Sequence, residues 1–220
     1  MRNIFRGKII TGVELNTKIL GIPIEILGYG IDTDYMNANL NRLYISNKER
    51  NKIEVESITQ NEKNKFLIDE ESWNNGNIFY RKFMSNPDTL FFVNTDDIIP
   101  SFEDASNLVK EAGGLIFIPH IYEYRDNAEK ILDYILDNYK IDGIECFYTT
   151  FTKEQNENLL RICNERNLLI SGGSDYHGNF KPDVEMAVGF GNLKVEEMII
   201  DNWENKYKIN IIWHKFIKMI

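Results

Sequence analysis

The stretch LLISGGSDYHGNFKP, residues 168–182, decides how the chain is read. Leu168, Leu169 and Ile170 suit a buried strand. Gly172 and Gly173 then allow the backbone to turn or another group to come close. Asp175 and His177 follow two positions apart. On an extended chain, side chains with that spacing point the same way. A carboxylate and an imidazole converging at a strand end form either a hydrogen-bonded pair or half of a metal site.

Upstream of this stretch, helical and strand signals alternate. Ser101 and Asp104 predict a capping box opening the helix that contains ASNLVKEA, and Gly113-Gly114 predicts its end. LIFIPH reads as a buried strand ending at His120. NAEKILDYILDNY has helical spacing, and IDGIECFY reads as the next strand. Thr152 and Gln155 predict a second capping box ahead of EQNENLLRICNER. Helix, strand, helix, strand, helix, strand is the order of an α/β protein with parallel strands, in an open sheet or a barrel. Parallel strands covered on both faces read as continuous apolar runs, as these do.

The first half is less regular. KIITGVELNT predicts a short strand ending near Glu14, and IPIEILGYGI a second ending at Gly28. Residues from about 34 to 98 read as a mostly helical insertion in a single domain that spans 1–220. With 220 residues and 43% apolar side chains, the chain can build a real core. Its 34 acidic and 25 basic side chains leave a net charge of −9. That balance argues against a nucleic-acid-coating surface, and an anionic substrate would need local cations. No apolar run has the length of a membrane span, and the N-terminus has no signal-peptide core. Cys146 and Cys163 lie in apolar-periodic segments and read as buried free thiols of a cytoplasmic protein.

Glu14, His120, Asp175 and His177 all lie at expected strand ends. In a parallel barrel such ends share one face, where sites are built. Two carboxylates and two imidazoles suit Zn²⁺, Mn²⁺ or Fe²⁺. Taken singly, each residue also has an ordinary reading. A histidine after an apolar run is commonly a hydrogen-bonded core residue, and Glu14 could be a cap or a surface charge. His214, in NIIWHKFI, reads as structural.

Five stretches in order carry a resemblance: ITGVELNT, EILGYGID, AGGLIFIPH, DGIECFY and GGSDYHG followed by KP. Together they resemble the PHP family of metal-dependent phosphoesterases, and most closely its small bacterial branch related to nucleoside bisphosphate phosphatases. The resemblance implies a distorted (β/α)7 barrel with metal ions at the C-terminal ends of its strands. It implies hydrolysis of a nucleotide or a small phosphomonoester. It places metal ligands on Glu14, His120, Asp175 and His177. Ile121 follows His120 where the family usually has proline. A further ligand falls on Glu25, where the family normally has histidine; glutamate still offers oxygen to a hard cation. Arg125 and Lys181 follow ligand-bearing strand ends and are candidates for a substrate phosphate, although either also reads as a solvated charge.

The family opens with His-x-His and then Asp-His. Only thirteen residues precede Glu14, and none is histidine. The expectation is therefore an N-terminally truncated, incomplete barrel with an impaired metal site. Its open edge would be covered in a homo-oligomer. The rival reading is a catalytically inactive domain that binds a metal or a phosphorylated ligand and regulates. An exonuclease or proofreading role fits the acidic composition less well.

Overall fold

The computed structural model describes residues 4–60, 67–74, 76–84, 86, 88–94, 98–206 and 211–218. Strand β1 (Ile4–Ile10) pairs antiparallel with β7 (Ile211–Lys218) in a small sheet of their own. The main sheet has five strands. β2 (Gly12–Ile19) and β3 (Ile22–Tyr29) form an antiparallel hairpin. Leu20 and Gly21 join them with φ of 53° and 75°. Two consecutive left-handed residues make the tight turn whose twist matches that of paired strands. β3 then pairs antiparallel with β4 (Leu115–Ile118). From there β4, β5 (Gly143–Tyr148) and β6 (Leu169–Gly173) run parallel. The order is β2-β3-β4-β5-β6.

The second half thus has the parallel strands that its apolar runs predict. The first half differs. A two-residue turn can only reverse the chain, so β3 runs against its neighbours and the sheet is mixed and open. Among the described residues no closed parallel barrel is present. Glu14 also lies third in β2 rather than at its end.

Helices pack as the alternation requires. Ser101 Oγ accepts the Asp104 N–H at 3.1 Å and opens α5 (Phe102–Glu111), which covers β2, β3 and β4. α6 (Ala128–Asn138) follows a 3-10 turn after β4. α7 (Lys153–Arg166) starts at the expected box: Thr152 Oγ1 accepts the Gln155 N–H at 3.2 Å, and Gln155 Oε1 accepts the Thr152 N–H at 2.9 Å. α7 packs on β5 and β6, and α8 (Met198–Lys206) on β6.

The two faces of the hairpin have different fates. Leu15, Ile19, Ile24 and Ile26 are buried on one face. A methyl at Gly28, on that same face, would meet Val109 of α5. On the other face, Leu27 and Tyr29 pack against Leu115, Phe117, Leu169 and Trp203. Phe117 and Trp203 have ring centroids 4.8 Å apart, and Trp203 Nε1 donates to the Ile170 carbonyl at 2.9 Å. Each large apolar side chain buried there contributes about 1.5–3 kcal/mol. Glu14 pairs across the hairpin with Leu27, and Glu25 precedes Leu27 by two. Strand alternation therefore puts both carboxylates on the Trp203 face, just beyond this small core.

Contacts divide the chain into two units, Met1–Asn39 with Ser101–Ile220, and Leu40–Pro100. The elements above belong to the first, with α1 (Thr33–Asn39). The second holds α2 (Asn47–Gln60), α3 (Glu70–Asn74) and α4 (Gly76–Phe79). In that unit Phe79 stacks on Phe83 and both meet Phe91 edge-on, with centroids 5.5–5.9 Å apart. Cys146 and Cys163 are buried free thiols with sulfurs 3.5 Å apart. Among the described residues no helix is long and apolar enough to cross a membrane.

Candidate metal centre

The five expected side chains fall into two groups that share Glu14. β2 brings Glu14, β3 brings Glu25, and the turn after β4 brings His120. The segment after β6 brings Asp175 and His177. One ligand atom each from Glu14, Glu25 and His120 lie within 4.8 Å of one another; so do one each from Glu14, Asp175 and His177. Glu14 belongs to both groups. His120 Nε2 is 3.2 Å from Glu14 Oε1 and 3.1 Å from Glu25 Oε2. His177 Nδ1 is 3.0 Å from Asp175 Oδ1.

The backbone at these residues is unusual. His120 has φ of 24° and Asp175 φ of 53°. Non-glycine residues enter this region at a cost, and they cluster where surrounding structure holds them for a purpose. Arg125 is a third case, with φ 51° and ψ −122°. Its side chain is exposed on the turn that follows His120. Lys181 is closer to the chemistry, with its ammonium on Asp175 Oδ2.

His120 is 6% exposed. Burial works against its positive charge, but the Glu14 and Glu25 carboxylates outweigh that and raise its pKa to about 10. Its other ring nitrogen, Nδ1, is buried and has no hydrogen-bond partner among the described residues. The Glu25 N–H donates to the Tyr124 hydroxyl at 2.8 Å and so ties β3 to the turn after β4.

Sequence reasoning missed two residues, both on β5. Glu145, only 4% exposed, accepts the His120 backbone N–H on Oε2 at 2.9 Å. Burial pushes its pKa up to about 7, against the pull of that N–H and of the His120 charge. Tyr148 donates its hydroxyl to Asp175 Oδ2 at 2.8 Å. The available signal was a carboxylate inside the apolar run GIECFY, where an unpaired charge would be costly.

The donor set suits a divalent cation. Three carboxylates, Glu14, Glu25 and Asp175, are gathered here; His120 and the Lys181 ammonium lie beside them, and a cation bound among them would add further positive charge. Oxygen donors with imidazole nitrogen match Zn²⁺, Mn²⁺ or Fe²⁺.

No protein-family model matches the chain, and no curated protein matches it. Solved structures do. A protein of Bifidobacterium adolescentis assigned as a metal-dependent phosphoesterase superposes with a TM-score of 0.59 at 20% identity, over 88% of this chain and 74% of that one. An amidohydrolase of Chromobacterium violaceum, with bound sulfate and no metal, superposes with a TM-score of 0.64 at 18% identity, over 94% and 78%. The chain shares their fold.

Proposed function

We propose that this chain is a metal-dependent hydrolase of the PHP type, acting on the phosphate ester of a nucleotide or of a small phosphomonoester. One observation carries the reading. Glu14, Glu25, His120, Asp175 and His177 come from four separate segments, yet their ligand atoms form two groups that share Glu14. Glu14, Glu25 and His120 would hold one divalent cation; Glu14, Asp175 and His177 would hold a second. Two cations held close together would suit the hydrolysis of a phosphate ester. The shared fold of the phosphoesterase neighbour supports the reaction class. The sulfate held by the other neighbour supports a ligand of phosphate's shape.

When bound, such cations neutralise charge on a phosphoryl oxygen and make water a stronger nucleophile. The chain's own side chains do the rest. Lys181, whose ammonium lies beside Asp175, would meet a phosphate oxygen by a charge-assisted hydrogen bond. Arg125, exposed on the turn after His120, would be the second candidate for a contact to the phosphate. Net charge of −9 disfavours an anionic substrate at long range, so these local cations provide its attraction.

The test is direct. The purified chain is loaded with Mn²⁺ or Zn²⁺ and assayed on nitrophenyl phosphate and on nucleoside phosphates. Hydrolysis should depend on the added metal, stop with chelator, and be lost in Glu14→Gln. Stoichiometric metal without any turnover would favour the regulatory reading. No uptake of metal would end both.

A further inference from the structure

We propose that β5 carries two positioning residues, Glu145 and Tyr148, which a bulge at Cys146 turns to one side, where the first fixes His120 and the second fixes Asp175. The inference rests on reading His120 and Asp175 as cation ligands.

The strand pairing shows the device. β5 and β6 pair in step at Gly143–Leu169, Ile144–Ile170 and Glu145–Ser171, then slip to Phe147–Gly172 and Tyr148–Gly173. Cys146 is thus an extra residue opposite no partner. In a regular strand, positions three apart face opposite ways. One inserted residue resets the alternation and re-aims the side chains after it. Glu145 and Tyr148 can then serve the same site.

Each grips one of the two left-handed ligands, by a different handle. Glu145 takes the backbone N–H of His120 at 2.9 Å. Tyr148 takes the side-chain Oδ2 of Asp175 at 2.8 Å, and its ring centroid lies 5.4 Å from that of His120. Oδ1 of the same aspartate faces His177. Gly173 completes the arrangement: a Cβ there would lie 2.8 Å from Glu145 Oε1. A strained backbone persists only when its surroundings hold it. Outer partners of this kind orient ligands and typically change cation affinity by about 10–100-fold when removed.

The experiment titrates the full chain with Mn²⁺ alone and reads free Mn²⁺ by EPR, with a melting curve of each cation-free variant. Tyr148→Phe removes one oxygen from a ring already packed against His120 and Phe151. It should bind Mn²⁺ about tenfold more weakly while melting close to wild type. Glu145→Ala should weaken binding by a similar factor, and Glu145→Gln, which keeps an acceptor for the His120 N–H, should recover most of it. Wild-type affinity in both Tyr148→Phe and Glu145→Ala overturns this inference and leaves the cation site standing. A wild-type chain that takes up no Mn²⁺ overturns the cation site and this inference together.

Discussion

Gly173→Ala is the most informative small change in this molecule. The added methyl would lie 2.8 Å from Glu145 Oε1. Carbon and oxygen do not approach so closely without contact strain, so the carboxylate must withdraw. Glu145 is buried and its other oxygen holds the His120 N–H at 2.9 Å. Withdrawal therefore lengthens or breaks a hydrogen bond to a carboxylate, worth about 1.5–3 kcal/mol. Even the lower figure equals about tenfold in an equilibrium constant. For a chain of this size, stability should fall by about 2–4 °C in Tm per kcal/mol lost. Cation affinity should fall with it, because the His120 turn loses its anchor. Gly28→Ala is the control: its methyl would meet Val109 Cγ1 at 2.9 Å on the opposite face of the hairpin. Both variants should melt earlier, and only Gly173→Ala should bind Mn²⁺ more weakly. Equal Mn²⁺ affinity in wild type and Gly173→Ala, alongside a lowered Tm, would refute the link from Gly173 through Glu145 to His120.

Other predictions test the frame. Gly143→Ala would push a methyl to 2.2 Å from the Phe117 ring; overpacking of this kind should cost about 1–3 kcal/mol, read in a denaturant melt. Thr152→Ala removes the reciprocal cap of α7 and should cost about 1 kcal/mol by the same assay. Leu20 sits left-handed at the hairpin turn with 44% of its surface exposed. Leu20→Asn places there a residue that tolerates this conformation, and the Tm should rise. Lys181→Met should raise KM for a phosphate ester; because its ammonium also lies on Asp175 Oδ2, the Mn²⁺ affinity of the variant is measured beside it, and an unchanged KM refutes the substrate role.

The parallel half of the sheet was legible because LIFI and GIECFY are apolar runs bracketed by caps and glycines, and buried parallel strands need that pattern. His120, Asp175 and His177 were legible as polar groups just past apolar strands; Glu14 was read as a strand end but lies third in β2, and Glu25, inside β3, was marked only by the family resemblance. The hairpin's direction was not legible. Leu20-Gly21 lacks the Asn-Gly or Asp-Gly signature of such a turn, so the reversal is written in backbone angles rather than in residue types. Glu145 and Tyr148 were hidden for a related reason. Counting by twos along GIECFY sends them to opposite faces, and only the slip at Cys146 reunites them. The Leu40–Pro100 unit escaped detailed reading because α2 is polar around its circumference and presents no stripe to orient it.

On the proposed reading Glu14 would serve two cations. EPR of the Mn²⁺-loaded chain tests it most directly, because manganese ions joined through one carboxylate couple magnetically. Two ions per chain with a coupled spectrum, and loss of both sites in Glu14→Ala, are expected. Isolated, uncoupled Mn²⁺ that survives Glu14→Ala would contradict it.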